Sequence, residues 1–224
     1  MFDFDSTLVT IETLDTLIKR SLTGPDGGRK RRLIDGITLK AMNGEMDFNE
    51  SITTRLRISE VRAEHFAAMA SEIAEFITPG IEDVVDLLRR SDAALFIVSG
   101  GFDEIIAPVA DRLGVPLENC FANRYIADAD GNVTGLCDGP LTREGGKTEV
   151  VKAIRGKTDG PVVMLGDGMS DYRVFADGAA DFFVGCGFSA VRPNVLASCG
   201  VKRDRSAFVR TTVELLELLH ADWC

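Results

Sequence analysis

The chain has 224 residues, 45% hydrophobic and 27% charged, which is ordinary globular usage and excludes a disordered polypeptide. Its 25 basic against 35 acidic residues give a net charge of −10, which argues against a nucleic-acid binder working by phosphate neutralisation but leaves room for a local basic pocket. No apolar stretch approaches the ~20 residues that cross a bilayer, and the amino terminus carries Asp3, Asp5 and Glu12 where a secretory signal needs a basic and then an apolar region, so a cytoplasmic protein with no membrane partner is expected.

Met1 to Phe4 reads as a buried strand ending at Asp5. Only Met1 and Phe2 precede Asp3, whereas a fully paired strand takes about five residues, so a trimmed start or a short and less rigid strand is expected. Two residues apart on a strand, Asp3 and Asp5 leave the backbone toward one side and Phe2 and Phe4 toward the other. Carboxylates held that close repel unless a cation or a shared proton intervenes, which suggests a divalent metal site; solvated loop carboxylates are the alternative.

From Thr10 to Ile77 apolar residues recur three and four apart, as in Leu14, Leu17, Ile18, then Leu33, Ile34, Ile37, and again Ile52, Leu56. This is a helical block. Its stretch from Lys19 to Lys40 holds seven basic residues and two acids, either a solvated helix face or a binding patch. Thr78-Pro79-Gly80 interrupts the pattern. The block is therefore expected to be a helical cap, residues 10–77, inserted into a core formed by residues 1–9 and 78–224.

Two further apolar runs end in small or acidic residues: Ala93 to Val98 before Ser99-Gly100-Gly101, and Pro161 to Leu165 before Gly166-Asp167-Gly168. Helical patterns follow at Asp103 to Leu113 and Asp171 to Asp177, another from Gly146 to Ile154 leads into the third strand, and Tyr125 to Leu136 resembles a small hairpin. Alternating strands and helices imply an α/β fold, a Rossmann-type parallel sheet covered on both faces, with ligands beyond the carboxyl ends of its strands. All three polar turns fall there.

Ser99 with its two glycines can hold a phosphate oxygen at a helix start, or simply cap that helix. Lys147, after Gly145-Gly146, is either a surface lysine or the cation that balances Asp3 and a phosphate. Asp167 between glycines suits Mg²⁺ with retained waters, or is a plain strand-to-helix turn with Asp171 in the first helical turn. Arg192-Pro193-Asn194 starts a late helix near this second acidic turn and receives no role. His65 and His220 are too far apart in sequence to suggest a metal cluster, and five scattered cysteines without a C-x-x-C suggest neither a disulfide framework nor zinc.

In order, Asp3-x-Asp5-x-Thr7, Ser99, Lys147 and Gly166-Asp167-Gly168-x-x-Asp171 resemble the four motifs of the haloacid dehalogenase superfamily. Asp3 through Val9 with Glu12-Thr13, Val98-Ser99-Gly100-Gly101-Phe102, Phe121-Ala122-Asn123-Arg124 and Gly145-Gly146-Lys147 together resemble its phosphoserine phosphatase family, and Ala41-Met42-x-Gly44-Glu45-Met46-Asp47-Phe48 with Arg55 is similar to that family's substrate-gripping segment. The resemblance implies a Mg²⁺-dependent enzyme that releases L-serine from phosphoserine, closing serine synthesis. Asp3 would be the nucleophile and Asp5 the general acid and base; Ser99, Gly100 and Lys147 would bind phosphate. Asp3, the Asp5 carbonyl and Asp167 would hold the metal, with Asp171 and Ser170 in support. Glu12 would meet the substrate ammonium and Arg55 its carboxylate, under a lid of Met42 and Phe48; read without the resemblance, Glu12 sits in the first turn of a cap helix, Arg55 on a solvated face, and Met42 and Phe48 merely pack between cap helices. Ser170 stands where some family members carry Asn. Competing expectations are a phosphotransferase or a phosphatase for another small phosphorylated metabolite on the same scaffold, or a non-catalytic phosphoamino-acid binding module.

Overall fold

A computed structural model describes residues 1–42, 45–200 and 205–222. Its central sheet is parallel. Strand β1 (Ile97–Phe102) pairs with β2 (Cys120–Asn123), and β5 (Val163–Gly166) pairs with β6 (Phe182–Cys186), which pairs with β7 (Ser206–Val209). Phe2 bridges Ile97 of β1 on one side and Leu165 of β5 on the other, so the first residues complete the sheet between them. β3 (Tyr125–Ala127) and β4 (Val133–Leu136) form the expected hairpin outside it.

The amino-terminal segment is as short as the sequence indicates, yet it is fully laddered. Phe2 N–H donates to Phe96 O, Val98 N–H to Phe2 O, Leu165 N–H to Met1 O and Asp3 N–H to Leu165 O, all at 2.8 or 2.9 Å. Hydrogen bonds on both edges, rather than strand length, fix Asp3 at the end of the sheet.

Side chains alternate across each strand and sort the helices into two layers. Ile97, Leu165 and Val184 face the cluster that includes α5 (Ile81–Arg90), α6 (Asp103–Leu113) and α10 (Thr212–Asp222). Val98, Met164 and Phe183 face α7 (Gly146–Arg155), α8 (Met169–Ala176) and α9 (Pro193–Cys199). The start of α6 falls where its sequence pattern placed it, and the helix ends at Gly114, whose left-handed backbone (φ 60°) lets its N–H reach back to Ala110 O and Asp111 O.

The strand boundaries depart from expectation. β1 begins at Ile97, not Ala93, and runs through Ser99-Gly100-Gly101 rather than turning there. Val98 pairs with Phe121 and Phe102 with Asn123, so β1 takes four residues to cover what β2 covers in two. The extra residues form a bulge, a device that re-aims side chains next to a site. Ser99 consequently caps no helix.

Helices α1 (Thr13–Ser21), α2 (Gly27–Met42), α3 (Phe48–Ser59) and α4 (Ala63–Glu72) occupy the block between the first strand and α5. Asp47 caps α3 by accepting from the Asn49 and Glu50 amides. The block enters and leaves side by side: Val9 bridges Ile77, Thr10 N–H donates to Phe76 O and Thr78 N–H to Leu8 O. It also docks elsewhere. Phe66 of α4 lies 4.8 Å from the Phe102 ring and 4.2 Å from the Tyr125 ring, and the Ala63 and Val133 amides exchange bonds with Gly131 O and Val61 O. Among the described residues no helix is long and apolar enough to cross a membrane.

Candidate active site

A cavity of about 1010 Å³ opens between the helical block and the carboxyl ends of the strands. Asp3, Asp5, Glu12, Phe48, Arg55, Ser99, Gly100, Lys147, Asp167 and Ser170, which are scattered along the sequence, all line it. Asp171 is fully buried behind them. The Met42 side chain and Gly44 lie outside the described residues.

Lys147, near the start of α7, sits between two carboxylates, with Nζ 2.7 Å from Asp3 Oδ1 and 2.7 Å from Asp171 Oδ1. Burial works against its charge, but Asp171 and Asp3 outweigh that and hold it protonated, with its pKa above the ordinary lysine value. Asp3 Oδ1 also accepts from the Phe4 amide at 2.8 Å. Asp171 uses its other oxygen on the Gly168 amide at 3.0 Å, so it closes the start of α8 and orients Lys147 at once. Gly166 makes this approach possible, because a Cβ there would lie 2.3 Å from Asp171 Cγ.

Asp5 is held by the first residue of α1. The Thr13 amide donates to Oδ1 at 3.2 Å and its hydroxyl to Oδ2 at 3.1 Å. Burial, then repulsion from Glu12 and Asp3, raises the Asp5 carboxyl well above the usual carboxylate range, so it retains a proton more readily than a free aspartate. Burial and the neighbouring Asp3 likewise push Asp167 up to about 6, against the opposing pull of Arg192.

Oxygens of Asp3, Asp167 and Asp171 lie within 4.8 Å of one another. With Asp5 and Glu12 these acids outnumber the cationic Lys147 and Arg192, and an oxygen-rich, electron-rich cluster of this kind suits a hard divalent cation. On the bulge of β1, Ser99 Oγ accepts from the Gly101 amide at 3.0 Å, leaving its own proton to donate. Phe48 reaches over this loop, its ring tip 3.7 Å from where a Gly100 Cβ would stand.

Glu12 and Arg55 share the cavity without touching. Glu12 Oε1 accepts from Ser6 Oγ at 2.7 Å and from Arg192 Nη2 at 2.8 Å. Arg55 Nη1 lies 3.5 Å from both Asp15 Oδ1 and Thr38 Oγ1, and its buried Nε has no partner among the described residues. Ser170 is exposed at the mouth. Two residues at the site had no role in the sequence reading: Thr13, whose only signal is its place beside Glu12, and Arg192, which bonds Asp167 Oδ2 through Nε at 2.5 Å.

The family model for haloacid dehalogenase-like hydrolases matches residues 1–176. The human protein "Phosphoserine phosphatase" is 31% identical over 217 residues, covering 96% of this chain and 90% of its own length. A phosphoserine phosphohydrolase-like protein from Francisella tularensis superposes with a TM-score of 0.82 at 29% identity, covering 97% of each chain. A phosphoserine phosphatase solved as a phospho-aspartyl intermediate analogue superposes with a TM-score of 0.72 at 27% identity, over 97% of this chain and 96% of that one. The motif order, the parallel sheet and these matches agree, and the chain belongs to the haloacid dehalogenase-like hydrolase family.

Proposed function

We propose that the chain hydrolyses O-phospho-L-serine to L-serine and inorganic phosphate, the closing step of serine synthesis, through an aspartyl-phosphate on Asp3. One observation carries this reading: Asp3, paired with Lys147 at 2.7 Å beside Asp167 and Asp171, faces the same cavity as Glu12 and Arg55 of the helical block. The names of the human relative and of the solved neighbours supply the substrate class.

In this reading residues 10–77 are a cap over a core of residues 1–9 and 78–224. The Asp3 carboxylate attacks phosphorus and the bond to the serine oxygen breaks, which splits one difficult hydrolysis into two displacements. Asp5, whose burial favours its protonated form, gives its proton to the departing serine oxygen. It then takes a proton from the water that attacks the acyl phosphate and frees Asp3. Ser99 Oγ, the Gly100 amide and Lys147 hold the phosphoryl oxygens, where positioning and charge stabilisation carry most of the catalysis.

Asp3, the Asp5 carbonyl and Asp167 would hold Mg²⁺, with Asp171 and Ser170 in support. When bound, the ion neutralises charge on the phosphoryl oxygens. Glu12 meets the substrate ammonium and Arg55 its carboxylate by a two-pronged contact. Phe48 closes over them.

The test is phosphate release from L-phosphoserine with and without Mg²⁺, beside p-nitrophenyl phosphate. Metal-dependent turnover of phosphoserine in preference to the generic ester is expected. Cleavage of the generic ester alone would leave the family chemistry standing and remove the substrate assigned through Glu12 and Arg55.

A further inference from the structure

Arg192 follows the loop after β6 and immediately precedes α9, far in sequence from the cap, yet its guanidinium joins two carboxylates from different parts of the fold. Nε bonds Asp167 Oδ2 at 2.5 Å, at the end of β5, and Nη2 bonds Glu12 Oε1 at 2.8 Å, at the root of α1. Two nitrogens of one planar fork, Nε and Nη2, serve the two acids, a geometry a lysine ammonium does not reproduce.

Glu12 needs such a partner. Its side chain is 46% exposed, so packing does little to hold it, and it acts as a repelling charge on the neighbouring Asp5 and Asp167 carboxyls. Oε1 accepts from both Ser6 and Arg192, and among the described residues no donor occupies Oε2. Two donors on one oxygen thus fix the carboxylate and leave the other oxygen for an incoming cation.

We propose that Arg192 is a positioning residue that sets the site's selectivity for an ammonium-bearing phosphate ester by holding Glu12 beside Asp167. The proposal rests on the reading of Glu12 as the ammonium partner. Arg192 acts through Glu12. Its effect on Asp167 bears on every phosphate ester alike, whereas its effect on Glu12 bears only on esters that carry an ammonium group.

The experiment compares kcat/KM for L-phosphoserine and for p-nitrophenyl phosphate at saturating Mg²⁺ in the wild type, Arg192→Gln, Arg192→Lys, Glu12→Gln and the Glu12→Gln/Arg192→Gln double variant. The ratio of the two values is the readout, so any loss common to both esters cancels. Arg192→Gln is expected to lower the ratio by roughly tenfold or more, mainly through KM for phosphoserine, as expected when a charged contact is disordered. Arg192→Lys keeps the charge without the fork and is expected to recover less than about half of the lost selectivity. In the Glu12→Gln background, Arg192→Gln is expected to change the ratio by less than about twofold, because the residue it acts through is already gone. Equal losses on both esters, full recovery by lysine, or independent effects of the two substitutions would overturn the proposal. A wild type without preference for phosphoserine removes the Glu12 reading and the proposal with it; a preference that Arg192→Gln leaves intact removes the proposal alone.

Discussion

Thr13 grips both oxygens of Asp5, with its amide 3.2 Å from Oδ1 and its hydroxyl 3.1 Å from Oδ2. One residue belongs to the first helix of the helical block and the other to the loop after the first strand, so the orientation of the proposed proton carrier depends on where α1 starts. Thr13→Val keeps the shape and removes the hydroxyl. Leaving a buried polar group without its hydrogen bond costs about 1–3 kcal/mol, and kcat should fall by roughly tenfold, with Thr13→Ser restoring most of it. Steady-state kinetics on the two variants check this, and equal kcat in Thr13→Val and the wild type would sever the link.

Lys147→Met leaves the buried carboxylates of Asp3 and Asp171 facing each other without their shared cation. Breaking a buried ion pair from one side costs on the order of 3–5 kcal/mol. The variant should lose stability to denaturant by roughly that amount, and phosphate-ester turnover by at least about a hundredfold, since the group proposed to stabilise the transferred phosphoryl is gone. Lys147→Arg, with a bulkier head in the same gap, should not restore turnover.

Phe66→Ala tests how the helical block is anchored. The Phe66 ring is fully buried against Phe102 and Tyr125, and truncating such a ring costs about 3–5 kcal/mol. Urea unfolding should register that loss, whereas Phe66→Leu should cost less than half as much. A neutral Phe66→Ala would mean that α4 is not docked on the core.

Asp181 supplies a stability term that depends on pH. Slight burial pushes its carboxyl up, but the Arg155 guanidinium at 2.7 Å and the Val162 amide at 2.8 Å outweigh this and hold it below the usual carboxylate range. A lowered folded-state value stabilises above the unfolded pKa and is lost as pH falls through the folded one. Because the pair is partly solvated, Asp181→Asn should cost only about 0.5–1 kcal/mol at pH 7. The difference between the two proteins should vanish in acid, and a constant difference across the pH range would contradict the assignment.

Most of the candidate constellation was legible because each residue closes a short apolar run: Asp3 and Asp5 after the first strand, Ser99 at β1 and Asp167 at β5. What sequence misjudged was the backbone around Ser99. Two glycines read as a turn, but here the strand bulges through them, and the consequence is a serine aimed over the site instead of a helix cap. The short first strand read as weak because length is visible in sequence and ladder bonds to two neighbours are not. Arg192 could be placed near the acidic turn, yet its pairing with Glu12 joins residues 180 positions apart, which no local pattern encodes. Thr13 was hidden for a different reason: a threonine starting a helix is ordinary, and only the fold brings Asp5 under it.

In the proposed mechanism Asp3 itself carries the phosphoryl group. A single turnover of L-phosphoserine with Mg²⁺, quenched in acid and reduced with borohydride, converts an acyl phosphate to an alcohol that peptide mass spectrometry can locate. Reduction is expected at Asp3, and none in an Asp3→Asn control. Turnover with no reduced residue, or with the mark on any other carboxylate, would contradict it.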